Sequence, residues 1–467
     1  MTRTVAVPRD IPADLETPVS AFLKLRPAGA RFLLESVEGG ETLGRHSFIG
    51  VGHSATLTFG PTALTVERER GSESLPYGGR DPLHLLRDIL GARELGDDAR
   101  AWPLLGGAVG YLGYDFVRHF ERIPATLPDR LGLPDGRFLM TDALVLFDHI
   151  RRKMTLVTLA ESEAAGRERL EEMVARLRGP LPAAADERGA AGVLEPEMPR
   201  EKFLAAVEAA REHIRAGDAC QIVLSQRFSG ALGVPPFQVY RALRILNPSP
   251  YMFYFESGDL QLIGSSPEVL VKLDGRTAIL RPIAGTRPRG ETEEKDRALA
   301  AELLADEKER AEHVMLVDLA RNDLGRVCAY GTVKPTDLFS VERYSHVMHL
   351  VSEVRGTLRP GLDQFDLFRA AFPAGTVTGA PKVRAMQIIE SLESSRRGPY
   401  AGAVGYFGAN GSMDMCIAIR TLVVHRGVAH LQAGAGIVGG STPEGEELET
   451  QNKVAVLRKA VELAADL

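Results

Sequence analysis

The chain has 467 residues, of which 44% are hydrophobic and 25% charged, an ordinary globular composition too long for one simple core. Its net charge of −6 argues against a nucleic-acid partner, and no run of about 18 apolar residues offers a membrane span. The cysteines Cys220, Cys328 and Cys416 lie far apart without metal-type spacing; with no apolar signal core at the start, they read as buried thiols of a cytoplasmic protein.

Residues 1–180 are predicted to form an N-terminal lobe of short strands and turns. ATLTFGPTALTVERE reads as a hairpin, and ALVLFDHIRRKMTLVTLA as two strands around a turn. AAGRERLEEMVARLRG is an amphipathic helix stopped by Gly179-Pro180. Residues 181–199, rich in Pro, Ala and Gly and without period, form the predicted linker. From 200 to 467 the pattern resumes. PREKFLAAVEAAREHIRAG is a helix with a glycine stop, CQIVLSQRFSG a strand, and FQVYRALRILNPSP a helix ended by prolines. YMFYFES, LQLIGSS and EVLVKL are strands, and one long helix is predicted over 292–324. AVGYFG and CIAIRTLVV are strands; QAGAGIVGG then reads as a glycine loop before the last helix. Clustered strands with separate helices predict an α+β fold rather than alternating βαβ units. No internal repeat is evident.

Gly434-Ala435-Gly436-Ile437-Val438-Gly439 is a literal G-x-G-x-x-G. It is not expected to be a dinucleotide turn. GSTPEGE intervenes before any helix, no second parallel strand is expected, and Glu444, Glu446, Glu447 and Glu449 would repel a pyrophosphate. On the long helix Asp306, Glu309 and Glu312 recur on one face. That pattern suits a solvated acidic stripe or a hard-metal site. Glu449 and Lys453, four apart, suit a surface ion pair or a second carboxylate ligand. The glycine turns PIAGTRPRG and FPAGTVTGAPK join QAGAGIVGG as candidate backbone N–H nests for an anion. Arg420, alternating with apolar neighbours on a predicted strand, needs an anionic partner. His349 in HVMHLVSEV reads as a packing histidine, and no G-x-S-x-G or comparable cysteine elbow is present.

At these residues the sequence resembles the chorismate-utilising enzymes, and among them the large subunits (component I) of anthranilate synthases. The resemblance is carried in order by PIAGTRPRG, AEHVMLVDLARNDLG, HVMHLVSEV, GTVTGAPKVRAMQIIE, GPYAGAVGYFG, CIAIRTL, QAGAGIV and ETQNKVAVLRKA, with FLLESVEGGETLGRHSFIG in the first segment. It implies a large composite two-lobed β-sandwich flanked by helices, with residues 200–467 as the chorismate-binding catalytic domain. It implies Mg²⁺ held by Glu312 and Glu449. It implies substrate contacts from Gly285, Thr286, Tyr400, Arg420, Gly434, Ala435 and Gly436, with the glycine loop cradling one carboxylate and Mg²⁺ bridging to the ring carboxylate. Glu268 in GSSPEVL matches the family's general acid, a role that needs a raised pKa. His349 matches a histidine near the departing enolpyruvyl group. The implied reaction adds ammonia at ring C2, expels the C4 hydroxyl and then loses pyruvate.

Gln221 stands where isochorismate and salicylate synthases place a water-activating lysine, which favours ammonia as nucleophile. Ala284 stands where many aminodeoxychorismate synthases place a lysine, which points to anthranilate. LLES and NPSPYM resemble a tryptophan feedback site, with Ser36, Pro250, Tyr251 and Met252 at the matching positions. Without a recognisable glutaminase cysteine, ammonia is expected from a separate glutamine amidotransferase subunit, component II. The rival readings are component I of aminodeoxychorismate synthase and a non-catalytic metabolite-binding subunit. The set of Glu268, Glu312, His349 and Glu449 speaks against the second.

Overall fold

The structure, a computed structural model, describes residues 4–36, 44–93, 95–182, 189, 192–344 and 347–467. Part of the predicted linker and the VEGGETL portion of the first-segment resemblance lie outside the described residues.

Eight strands and three helices position the site: β1 (Gln221–Ala231), β2 (Leu260–Ser266), β3 (Val269–Asp274), β4 (Ile283–Pro288), β5 (Val347–Thr357), β6 (Met413–Ile417), β7 (Thr421–His425), β8 (Val428–Ile437), α1 (Glu293–Ala305), α2 (Glu307–Gly325) and α3 (Pro443–Leu463). Among the described residues two 12-stranded sheets form. The first runs Val5–Pro12, Lys153–Ala160, Ala143–Asp148, His46–Val51, Ala30–Glu35, Tyr251–Ser257, β2, β7, β8, β1 and Glu195–Pro196, with Gly379–Ala380 also on β1. The second runs β4, β5, Thr277–Leu280, β3, β6, Ala403–Phe407, Ala108–Leu112, Gly136–Thr141, His53–Phe59, Ala63–Arg68 and Gly71–Pro76, with Lys334–Arg343 also on β5. Each sheet draws strands from both sides of the linker, and the linker residues Glu195–Pro196 themselves add an edge strand to β1.

Four corners carry the chain directly from one sheet to the other. Gly52, Asp142, Pro267-Glu268 and Ala418-Ile419-Arg420 are the connecting residues. They come in two matching pairs. His46–Val51 pairs with Ala143–Asp148 while His53–Phe59 pairs with Gly136–Thr141; β2 pairs with β7 while β3 pairs with β6. The two halves thus repeat one strand-corner-strand ladder that the sequence did not reveal.

The sheets stack face to face. Phe32, Tyr111, Leu139, Phe253, Leu262 and Val423 are buried between them, each contributing ~1.5–3 kcal/mol if fully removed from water. Helices Pro18–Leu25, Glu163–Leu177, Pro236–Leu246 and α3 cover the outer face of the first sheet. Helices Pro82–Gly91, α2 and Gln364–Ala371 cover that of the second. The fold is therefore an α+β sandwich flanked by helices, as the sequence implied.

The predicted long helix is two. α1 ends at Ala305 and α2 begins at Glu307, because Asp306 adopts extended backbone (φ −68, ψ 110). Its carboxylate accepts from the N–H groups of Lys308 and Glu309 at 3.0 and 3.1 Å. A short acidic side chain favours such a cap over a helix interior. Asp306 also accepts from Arg287 at 2.7 Å, which takes it out of the acidic stripe.

Candidate active site

Two of the corners open onto one cavity of about 850 Å³ and place a charged side chain in it. Glu268 sits between β2 and β3, and Arg420 between β6 and β7. The corners hold each other. The Ile417 N–H donates to the Glu268 carbonyl at 3.0 Å, and the Ser265 N–H donates to the Arg420 carbonyl at 3.1 Å. Arg420 is thus at a bend with φ +50, not mid-strand as its alternation suggested. Among the described residues its guanidinium has no ion-pair or hydrogen-bond partner. Burial pulls its pKa down, with Tyr400 and Glu449 acting the other way. Glu268 is pushed up to about 7 by burial, with the Thr376 hydroxyl and the Lys453 charge opposing only part of the shift. An arginine lacking an anion and a carboxyl that holds its proton near neutrality are what an anionic substrate and an acid-catalysed step require.

The glycine stretch is not a loop. Gly434, Ala435 and Gly436 lie within β8, opposite Ser225, Leu224 and Val223 of β1. β7 pairs with β8 only as far as Leu431, so from Gln432 onward one edge of β8 has no strand beside it among the described residues. The Gly434 carbonyl points to that edge, where it accepts from Lys453 Nζ at 2.9 Å. By strand geometry the backbone groups of Gly436 point the same way, and those of Ala435 point towards β1. Gly434 and Gly436 line the cavity, whereas the Ala435 side chain is buried in the core against the helices behind the sheet. Of the three expected contacts, Ala435 is the one that does not face the cavity. A Cβ at Gly434 would come within 2.6 Å of the Tyr400 hydroxyl, and one at Gly436 within 2.7 Å of the Gln221 amide nitrogen. At Gly434 the Leu224 carbonyl, at 2.8 Å, closes the space as well, whereas at Gly436 only the end of the Gln221 side chain stands in the way.

Glu309 and Glu312 of α2, and Glu446 and Glu449 of α3, all line the cavity. Glu312 and Glu446 are both raised, first by burial; Glu309 and Glu449 push Glu312 further, and Glu449 pushes Glu446. Lys453 pairs with Glu449 at 2.5 Å. Among the described residues no three such side chains already meet as a metal cage. A hard cation that keeps its waters needs only one or two carboxylates, and Glu312 and Glu446 stay raised although Lys308 and Lys453 oppose the shift. The donor set therefore fits Mg²⁺.

Gly285 and Thr286 belong to β4 rather than to a free turn. The register slips between Ala284 and Thr286, and Gly285 takes φ +66 at the bulge. This presents the Gly285 carbonyl to His349 Nδ1 at 2.9 Å, with Thr286 Oγ1 at 3.1 Å. Burial lowers the His349 pKa, the Gly285 bond opposes the shift, and Arg420 adds to it. A neutral ring with its Nδ1 proton on Gly285 leaves Nε2 as an acceptor. His349 stands behind Gly285 and Thr286 rather than in the cavity wall itself. Ala284 does not line the cavity, although its neighbours Ile283 and Gly285 do.

Ser36 and the Pro250–Met252 segment are also neighbours. Ser36 follows directly on the strand whose Glu35 pairs with Met252. Glu35 is buried and accepts from Tyr240 Oη at 2.5 Å and Arg244 Nε at 2.9 Å. Sequence reasoning passed over Glu446, Lys453 and Thr376 as parts of the main cavity. Glu446 and Lys453 were within reach, lying three residues before and four after Glu449 on one helix.

Comparison with known proteins gives the family of the chain. A family model described as "chorismate binding enzyme" matches residues 29–459. The chain is 50% identical to anthranilate synthase component 1 of Thermus thermophilus over 97% of its own length and 96% of the relative's. It is 45% identical to the protein of that name from Cereibacter sphaeroides, over 96% and 93%. The crystal structure of anthranilate synthase component I from Streptococcus pneumoniae TIGR4 superposes with a TM-score of 0.81 at 38% identity, covering 90% of this chain and 93% of that one.

Proposed function

From the chain's membership of the chorismate-binding enzyme family, we propose that it is the large subunit of a Mg²⁺-dependent anthranilate synthase. It converts chorismate and ammonia to anthranilate, pyruvate and water in tryptophan biosynthesis. The observation that carries this reading is the pair of corners that set a protonatable Glu268 and an unpaired Arg420 in one cavity.

Arg420, Tyr400 and the open backbone edge at Gly434 and Gly436 bind the substrate's carboxylates. Glu312 and Glu449 would hold Mg²⁺, with Glu309 and Glu446 beside them. Bound there, Mg²⁺ supplies the positive charge that lets a ring carboxylate lie among acids. Ammonia attacks ring C2. Glu268 gives its proton to the C4 hydroxyl, which leaves as water while the double bonds shift. The C2 proton is then lost, the enolpyruvyl group leaves and gains a proton at its methylene carbon to become pyruvate, and the ring becomes aromatic; His349, set behind Gly285 and Thr286, is assigned to this elimination. Gln221 lines the cavity with a buried amide oxygen that has no donor. It is no base for water, and it can accept an N–H of ammonia.

Ammonia comes from a separate glutamine amidotransferase subunit. Cys328 and Cys416 are buried with thiols pushed up by burial, the opposite of an activated glutaminase nucleophile; Cys220 is exposed, contrary to the burial expected of it, and lies in no nucleophile-elbow motif. Tryptophan binds at Ser36 and Pro250–Met252 and lowers activity. Among the described residues no helix is long and apolar enough to cross a membrane, which suits a cytoplasmic biosynthetic enzyme.

The test uses the purified chain with chorismate, Mg²⁺ and ammonium at mildly alkaline pH, with products identified by chromatography and mass. Anthranilate is expected with ammonium, and none with EDTA or with glutamine in place of ammonium. Aminodeoxychorismate or isochorismate as product would overturn the assignment.

A further inference from the structure

The segment Asn247–Met252 and the Glu268 corner meet at one buried residue. Ser265 is wholly buried. Its Oγ accepts from Asn247 Nδ2 at 2.8 Å and donates to the Asn247 carbonyl at 2.5 Å, with Ser249 Oγ at 2.9 Å. Its backbone N–H donates to the Arg420 carbonyl. Its neighbour Ser266 donates to the Ile417 carbonyl at 2.7 Å, and the Ile417 N–H returns to Glu268. Across the ladder Ser265 lies opposite Met252, and Ser266 opposite Tyr251.

We infer that Ser265 is a positioning residue that couples the Asn247–Met252 segment to the two corners carrying Glu268 and Arg420. The inference rests on the tryptophan reading above and names its route. The hydroxyl grips the segment on one side and the N–H grips the Arg420 corner on the other. A buried hydroxyl cannot release the segment without losing partners that water does not replace. A shift of Pro250–Met252 on binding an amino acid is therefore passed to the carbonyl of Arg420, and through Ser266 and Ile417 to Glu268. Coupling of this kind is a free energy between two sites, not a consequence of distance.

The experiment uses the full chain and compares Ser265→Ala with wild type. Tryptophan binding is measured by calorimetry, and tryptophan inhibition on ammonium-dependent turnover. The expected result is binding within about twofold of wild type but an IC50 raised ~10-fold, a loss of coupling rather than of the site. Ser249→Ala, which removes only one outer partner, is expected to raise the IC50 less, by about twofold to threefold, and decides the matter if Ser265→Ala does not fold. Unchanged IC50 in both variants would overturn the inference. So would a parallel loss of binding and turnover, the mark of a merely structural contact. A wild type that turns over chorismate but neither binds tryptophan nor is inhibited by it would overturn the feedback reading, and this inference with it, while leaving the catalytic reading intact.

Discussion

Glu268 and Arg420 face one cavity from neighbouring corners, and each hangs by its carbonyl from the other corner's strand: Ile417 holds Glu268 and Ser265 holds Arg420. The proposed acid and the proposed anion receptor are thereby fixed to each other through backbone rather than through side-chain contact. Preorganisation of this kind costs nothing at the moment of reaction.

Glu268→Gln lowers kcat about 10²- to 10⁴-fold, the usual worth of a placed general acid. The pH profile carries the sign. The protonated form is the donor and the group titrates at about 7, so the donor is present below that pH and lost as pH rises through it. After correction for the fraction of ammonia present as NH₃, kcat/KM of the wild type falls through an alkaline limb near 7. Persistence of that limb in the residual activity of Glu268→Gln would sink the assignment.

Mg²⁺ is expected to raise the Tm of the wild type, through about 2.7 kcal/mol of added stability at 100 times its Kd. Glu312→Gln and Glu449→Gln each abolish most of the rise, and Glu268→Gln keeps it. Thermal unfolding with and without Mg²⁺, in the absence of chorismate, reads this independently of turnover. Equal rises in all four proteins would place the ion elsewhere.

Gly434→Ala and Gly436→Ala separate two kinds of crowding. At Gly434 the new Cβ meets the Leu224 carbonyl at 2.8 Å as well as the Tyr400 hydroxyl, and backbone cannot yield; about 1–3 kcal/mol and a large rise in KM for chorismate are expected. At Gly436 its nearest neighbour is the end of the Gln221 side chain, which can swing aside. The KM for ammonium is expected to rise more than that for chorismate. Identical kinetics for the two variants would contradict this division of the strand.

Beneath Tyr400 lies a buried ion pair. Arg397, 1% exposed, donates to Glu393 at 2.6 Å and to the Val377 and Val223 carbonyls at 2.7 Å, with the rings of Tyr114 and Tyr400 against its guanidinium. Glu393→Ala leaves that charge unpaired and destabilises the fold by about 3–5 kcal/mol. Urea unfolding measures it; a loss under 1 kcal/mol would mean that water or Tyr400 replaces the carboxylate.

Much of this was legible in the residues. The strings around Glu268, Gly285, Glu312, Arg420 and Glu449 marked positions that the fold gathers around one cavity. What was lost depended on partners distant in sequence. LQLIGSS and EVLVKL read correctly as strands, but nothing local says that they belong to different sheets, so the corner at Glu268 was invisible. Gly434 and Gly436 read as a loop because glycine usually punctuates; only pairing with β1 across some 200 residues makes them strand. Asp306 was placed on a helix face by spacing, and its own capping chemistry removed it.

The bare edge of β8 divides the labour of recognition. Main-chain groups at Gly434 and Gly436 are the same whatever side chains drift around them, so under the proposed function they suit the constant part of the substrate, its anionic ring acid. Side chains such as Gln221 can be exchanged one at a time, so under the same proposal the choice of nucleophile can change while the strand's hold on the ring stays.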